Sequence, residues 1–433
     1  MRLIYSLFWI LALPLVLARL YFRGRKEPGY RRHIAERFGR YHAMAQKRPV
    51  IWVHAVSVGE TRAAEPLVRQ LQLHWPQHVI LLTHMTPTGR ATGAELFQAD
   101  IAANHLIQCY LPYDVPVLTN GLLRHYAPSV CILMETEVWP NLIHTCKQAL
   151  VPVALVNARL SARSLRKAER LSALIRPAAA AIQCVAAQTA ADAARIAELG
   201  VPHIVVTGNS KFDVTIPEEK ILYGQQLRQQ WGQRPVLVCA STRDGEEELI
   251  LDAFIQAGLS NQSELLLLIV PRHPQRFDLV EQMITLRGLT VQRKSTLDTN
   301  PLASTVRVVL GDTMGELISY YVSADLAFIG GSLLPLGGQN LIEACAVARP
   351  VLIGPHTFNF EAISNDAVAA GATVRVADAQ QLFSEVQRLL SDDSERHKMG
   401  QRARDFAAQH RGATARTVTL LKPLIDTHAA TMS

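Results

Sequence analysis

VIWVHAVSVGETRAAEPLVRQLQLHWPQHVILLT, residues Val50 to Thr83, is the stretch from which the fold is read. An apolar run at Val50–Val53 leads through a turn carrying Ser57, Gly59 and Glu60 into a helix-forming segment. A second apolar run follows at Val79–Thr83. Strand, helix and strand in succession make a βαβ unit, which calls for a parallel sheet. The alternation continues outward from there. Further candidate strands are Val130–Met134, Val153–Val156, Ile182–Val185 and Ile204–Thr207 in the first half. In the second half they are Val236–Ala240, Leu265–Val270, Val306–Leu310, Leu326–Ile329 and Val351–Ile353. The expectation is an α/β chain with two parallel sheets.

Length agrees with two sheets, because 433 residues exceed the roughly 100 to 200 that one core usually serves. Between the halves, Gly208 to Arg234 is a polar stretch with Pro217 and a helix-like insert, and the domain boundary falls in it. The expected ranges are 1–24 for a membrane anchor, 25–215 for an N-terminal domain and 216–433 for a C-terminal domain. The last helix is free to pack back on the N-terminal domain. A composition of 49% hydrophobic and 19% charged residues excludes broad disorder.

The charge of +7 is concentrated. Arg19 to Arg48 holds ten Lys or Arg against Glu27 and Glu36, a net +8, so the remainder sums to −1. This basic run directly follows LIYSLFWILALPLVLARLYF, Leu3 to Phe22, about 20 residues and about 30 Å if helical, one bilayer core. Cations beside an apolar segment mark a surface of anionic lipids rather than nucleic acid. Arg19, Arg23, Arg25, Lys26, Arg31 and Arg32 oppose export and hold the following domain on the cytoplasmic side, against the alternative of a cleaved signal peptide. Pro14 leaves both a single-pass span and a monotopic, interfacial insertion open. Six cysteines without CxxC pairs read as reduced, buried thiols.

In a doubly wound sheet ligands bind beyond the carboxyl ends of the strands, so chemistry is sought in those turns. Glu60 lies in the first of them, where a carboxylate can take a proton from an attacking hydroxyl. It can equally be a first-turn acid favoured by the helix dipole, which lowers its pKa unless burial opposes it. Spacing alone leaves both readings open. In the second half Arg272 ends a buried strand and can clamp a phosphate as a bidentate fork. Gly315 and Glu316 open a helix whose free N–H groups can receive a phosphate. FIGGSLLPLGGQNLIEA supplies a glycine-rich loop before Asn340 and Glu343, which are expected to share a helix face and point at one nucleotide. Arg163, Arg166, Lys167 and Arg170 fall on one basic helix face, suited to an anionic group at the membrane or simply to solvent. Neither GxGxxG, a P-loop nor a DxD pair occurs, which argues against dinucleotide, kinase-like and metal-dependent nucleotide-sugar sites.

Taken in order, WVHAVSVGE, METEVWPNLI (Met134–Ile143), NARLS (Asn157–Ser161), GNSKFD (Gly208–Asp213), PRHP, GDTMGEL, GGS and GPHTFNF (Gly354–Phe360) resemble the 3-deoxy-D-manno-octulosonic acid (Kdo) transferases. The resemblance covers nearly the whole chain. It implies a GT-B fold, two Rossmann-like parallel-sheet domains facing a cleft, and inverting transfer of Kdo from a CMP-Kdo donor. The implied acceptor is a lipid A precursor (lipid IVA) in lipopolysaccharide core synthesis, at the cytoplasmic side of the inner membrane, with no metal and no cofactor. By the same resemblance Glu60 is the base, and Pro271, Arg272, Met314, Gly315, Glu316, Asn340, Leu341, Ile342 and Glu343 bind the nucleotide. The chain departs from the family pattern in reading GGQNLIE at Gly337–Glu343, where relatives often read GGHNPLE. The alternatives are another GT-B enzyme using a UDP-sugar, transferase or epimerase, and a non-catalytic, membrane-tethered ligand-binding protein.

Overall fold

A computed structural model describes residues 1–41, 48–214, 216–259, 265–297 and 300–431. Two compact units result, one of Met1–Asp213 with Arg411–Ser433, the other of Val214–His410. The expected boundary at 215/216 falls on Thr215, which lies outside the described residues, as does Lys47 of the basic run.

The first unit holds seven strands: β1 (Val50–His54), β2 (Val79–His84), β3 (Leu106–Tyr110), β4 (Pro128–Met134), β5 (Val153–Ala158), β6 (Cys184–Ala187) and β7 (Ile204–Val206). They lie in the order β3-β2-β1-β4-β5-β6-β7, and every pairing is parallel. Successive residues of a strand point to opposite faces, and in β1 both faces are covered. Ile51 and Val53 pack under Leu67 and Leu71 of the Val58–His74 helix and Leu421 of the closing Ala413–Thr431 helix. Val50 and Trp52 face Leu122 and Leu142 on the other side. Asp213 ties the closing helix to this unit, its carboxylate accepting from the Gly412 N–H at 2.8 Å and the Thr414 N–H at 2.7 Å.

The amino-terminal helix, Arg2–Lys26, is long and apolar enough to cross a membrane, yet one side of it is attached to the first unit. Ser6 Oγ donates to Asn141 Oδ1 at 3.1 Å, Trp9 stacks on Tyr113 at 5.9 Å, and Leu20 is buried. The other side leaves Leu3, Leu7, Phe8, Leu11, Leu15 and Phe22 exposed.

The second unit repeats the architecture with β8 (Val236–Thr242), β9 (Leu266–Pro271), β10 (Val291–Arg293), β11 (Val308–Leu310), β12 (Leu326–Ile329), β13 (Val351–Ile353) and β14 (Thr373–Arg375). Its parallel order is β10-β11-β9-β8-β12-β13-β14. The core beneath it gathers Leu237, Leu267, Ile269 and Phe328 with Phe254 and Phe383, whose rings lie 5.6 Å apart.

Three strands escape sequence reading, and β3, β10 and β14 are all sheet edges. An edge strand has only one neighbour, so its sequence need not carry an apolar run on both faces, although the fourth edge, β7, is legible as Ile204–Thr207. β6 also starts two residues later than the expected Ile182, and β11 two later than Val306. All six cysteines are buried and free of disulfides.

Candidate active site

The strand order turns between β1 and β4 in the first unit and between β8 and β12 in the second. Glu60, Glu135 and Glu137 lie just beyond the carboxyl ends of β1 and β4, where ligands of doubly wound folds bind.

After β1 the chain turns into the Val58–His74 helix. Ser57 is the N-cap, extended at φ −123°, and its Oγ accepts from the Glu60 N–H at 3.5 Å. Glu60 reaches back, and its Oε2 accepts from the Val56 N–H at 2.7 Å. This is a capping-box arrangement displaced by one residue, so Glu60 does serve the helix start. Its second oxygen is nearly unengaged, since Oε1 has only a 3.5 Å contact with Ser57 Oγ. Burial is the largest influence on this carboxyl and raises its pKa. The Glu135 charge adds to the rise, while the Val56 N–H, Lys211 and Ser57 oppose it. Desolvation therefore wins over the stabilisation offered by the helix start.

Three further strand ends converge on Glu60. Directly after β4 comes Glu135, a buried residue with left-handed φ of 55°. Its carboxylate is bracketed by Lys211 Nζ at 2.6 Å, from the turn after β7, and Arg159 Nε at 3.2 Å, from beyond β5. The turn carrying Lys211 is held from two sides, because Ser210 Oγ donates to the Ala63 carbonyl of the helix that carries Glu60 and the Ser210 N–H donates to Asn157 Oδ1. Asn157, ending β5, also has φ of 50°. Backbone strain of this kind persists where surrounding structure fixes it and clusters at functional sites. Glu137 completes the group. Burial first, then the Glu60 charge, pushes its pKa up to about 7, although Trp139 Nε1–H donates to its Oε2 at 2.8 Å. Burial thus raises both neighbouring acids, the direction that favours proton transfer near neutral pH. Sequence reasoning singles out Glu60 alone. Glu135, Glu137, Arg159 and Lys211 lie within the quoted motifs, and an acid or lysine directly after a strand is the signal that could have found them.

In the second unit Arg272 follows β9, its side chain exposed and its N–H donating to the Thr242 carbonyl at 2.9 Å. Met314 is exposed, Gly315 has φ of 77°, and Glu316 caps the Leu317–Ser323 helix. The Glu316 carboxylate accepts from Thr313 Oγ1 at 2.5 Å and from Tyr320 OH at 2.9 Å. Asn340 does not share a helix face with Glu343, contrary to expectation. The helix spans only Ile342–Ala346, and Asn340 precedes it with Oδ1 accepting from the Ile342 N–H at 3.1 Å. Leu341 and Ile342 are buried, and burial raises the Glu343 pKa.

The glycine-rich loop after β12 is organised by Glu246, an acid in the first turn of the Glu246–Gln256 helix. Its carboxylate is fully buried and accepts from the N–H groups of Gly331 (2.5 Å), Ser332 (2.9 Å), Leu333 (2.9 Å) and Arg243 (3.0 Å). Gly330 permits the approach, because a Cβ there would stand 2.6 Å from the Ser241 carbonyl oxygen. On the first unit, Arg163, Arg166, Lys167 and Arg170 are exposed on the Ala162–Arg170 helix. Among the described residues no cluster of three His, Cys, Asp or Glu could hold a metal ion.

Comparison with known proteins decides the family. Residues 32–214 match the family described as 3-Deoxy-D-manno-octulosonic-acid transferase (kdotransferase), and residues 291–406 match Glycosyl transferases group 1. The chain is 44% identical to the 3-deoxy-D-manno-octulosonic acid transferase of Bordetella pertussis, over 94% of this chain and 96% of that one. It is 38% identical to the enzyme of the same description from Haemophilus influenzae, over 98% and 99%.

The chain belongs to the Kdo transferase family.

It is a glycosyltransferase that transfers Kdo. A solved UDP-GlcNAc 2-epimerase from Neisseria meningitidis covers 86% of this chain, with all of its own length matched, at a TM-score of 0.55 and 15% identity. That likeness establishes the GT-B fold alone. Within the Kdo transferase family, the carboxylate group around Glu60 belongs to the unit matched by the family's own description, and Arg272, Gly315 and Asn340 belong to the other.

Proposed function

We propose that the chain moves Kdo from CMP-Kdo to a lipid A precursor in lipopolysaccharide synthesis, with Glu60 as general base. The observation that carries this reading is the Glu60 carboxyl itself, raised in pKa by burial, half engaged, and set among Glu135, Lys211 and Glu137 at the strand ends. An acceptor hydroxyl gives its proton to Glu60 while its oxygen bonds to the anomeric carbon of Kdo. The bond from that carbon to the CMP phosphate breaks, and the electron pair leaves with CMP. A single displacement of this kind inverts configuration. Lys211 and Glu135 act on Glu60 with opposite sign, so the pair sets the base strength rather than the reaction itself. Pro271, Arg272, Met314, Gly315, Glu316 and the Asn340–Glu343 segment are the proposed nucleotide site. Preorganised donors there stabilise the charge that develops on the leaving phosphate.

The amino-terminal helix is proposed to lie in the cytoplasmic surface of the inner membrane as a monotopic anchor. A helix fastened to the rest of the first unit at Ser6 and Trp9 cannot cross a bilayer without drawing its unit along. Its exposed apolar side offers area to the acyl chains, and the cations from Arg19 to Arg32 meet anionic headgroups.

The decisive experiment mixes purified protein, CMP-Kdo and lipid A precursor, and follows CMP release together with the mass of the lipid. Gain of Kdo by the lipid, with protection from heat by CMP and not by UDP, is the expected result. CMP release without a heavier lipid overturns the acceptor, and protection by UDP alone overturns the donor.

A further inference from the structure

We propose that a cavity beneath the start of the amino-terminal helix binds the phosphate headgroup of an anionic membrane glycerophospholipid, a site separate from the catalytic one. This rests on the reading of that helix as a surface anchor. The cavity encloses about 180 Å³ and draws on three helices. Arg2 comes from the amino-terminal helix, His144 and Lys147 from Pro140–Gln148, and a wall of Leu174, Pro177 and Ala178 from Ser172–Ala179.

Charge and polarity point to the occupant. Arg2 and Lys147 both act on the His144 ring, and no acid is among the groups acting on it. His144 Nε2 is buried with no hydrogen-bond partner. Arg2 and Lys147 line one cavity with no acid acting beside them, and an anion between them removes their mutual repulsion. The opposite wall is apolar, which suits an ester-linked chain beside the phosphate and not a free, fully hydrated ion. Position agrees: Arg2 opens the helix whose next residues, Leu3, Ile4, Leu7 and Phe8, are exposed apolar groups, so the cavity sits at headgroup level when that side meets a membrane. The lining is drawn from the helix layer and the turn after it, none of it from the strand ends that carry Glu60 and Glu135.

Native mass spectrometry of the detergent-purified full chain, supplied with phosphatidylglycerol or phosphatidylcholine and no acceptor, tests the site. One phosphatidylglycerol retained per chain is expected, with at least ten-fold less in R2Q/K147Q. R163Q/R166Q, which removes the same charge from an exposed helix, should keep it. Flotation on phosphatidylcholine vesicles tests the anchor separately: wild type and R2Q/K147Q should both float. Failure of the wild type to float overturns the anchor reading. Floating protein that retains phosphatidylglycerol equally in both double variants overturns the headgroup site. So does displacement of the retained lipid by millimolar inorganic phosphate, or by lipid A precursor one for one.

Discussion

Lys211 Nζ stands 2.6 Å from Glu135 Oε1, joining residues 76 positions apart across the carboxyl ends of β4 and β7. Glu135 is buried and Lys211 keeps 35% of its side-chain exposure, so the pair is half desolvated. Removing one member of a fully buried pair costs about 3–5 kcal/mol, and the exposure of Lys211 lowers that here. Lys211→Met should therefore destabilise the first unit by about 1–3 kcal/mol in urea unfolding. The double variant Glu135→Gln/Lys211→Met should recover part of that stability.

Glu60→Gln keeps the size of the side chain and removes the base. Loss of a general base typically costs about 10² to 10⁴ in rate, so turnover should fall into that range while the protein stays folded by circular dichroism. Because burial raises the Glu60 pKa, the acid limb of the wild-type kcat/KM profile should lie above the ordinary glutamate value of 4.5. Full turnover by the variant, or an acid limb at or below that value, removes Glu60 from the role.

Glu137 gives a stability test with a definite sign. Its pKa is about 7 in the fold against 4.5 ordinarily, so the protonated form is favoured by folding. That contribution is fully present below 4.5 and is lost as pH rises through about 7. Glu137→Gln should raise stability above neutral pH, by up to about 3 kcal/mol at 1.36 kcal/mol per pKa unit, and leave it unchanged in acid. Glu60→Gln should also lower the Glu137 pKa, read by carboxyl-carbon NMR, because the Glu60 charge is the second cause of its rise.

Glu246 holds three backbone N–H groups of the turn after β12 and a fourth, that of Arg243, in the turn after β8. Hydrogen bonds to a charged group contribute about 1.5–3 kcal/mol, and a buried donor left without its acceptor costs about 1–3 kcal/mol. Glu246→Ala should therefore destabilise the second unit by at least about 3 kcal/mol and weaken protection by CMP. Unchanged CMP protection at unchanged Tm would show that the loop does not depend on this carboxylate.

Much of the fold is legible because central strands are buried on both faces and read as short apolar runs, as at Val50–His54 and Leu266–Pro271. The edges β3, β10 and β14 are not legible, since a strand with one neighbour needs no such run. Of the carboxylate group, Glu60 stands out because it follows β1 directly. Glu135 and Glu137 attract no notice until β4 is known to adjoin β1.

By itself the sequence determined two helix-covered parallel sheets, an apolar amino-terminal segment long enough to span a bilayer and the turn bearing Glu60, because hydrophobic period and turn composition are local properties. Tertiary structure alone decided which charges meet. Lys211 reaches Glu135, Glu246 reaches Gly331 from 85 positions away, and Arg2 approaches His144, only because parallel strands and packed helices bring distant segments together. Burial, and with it the direction of each pKa shift, follows from that assembly and from nothing local.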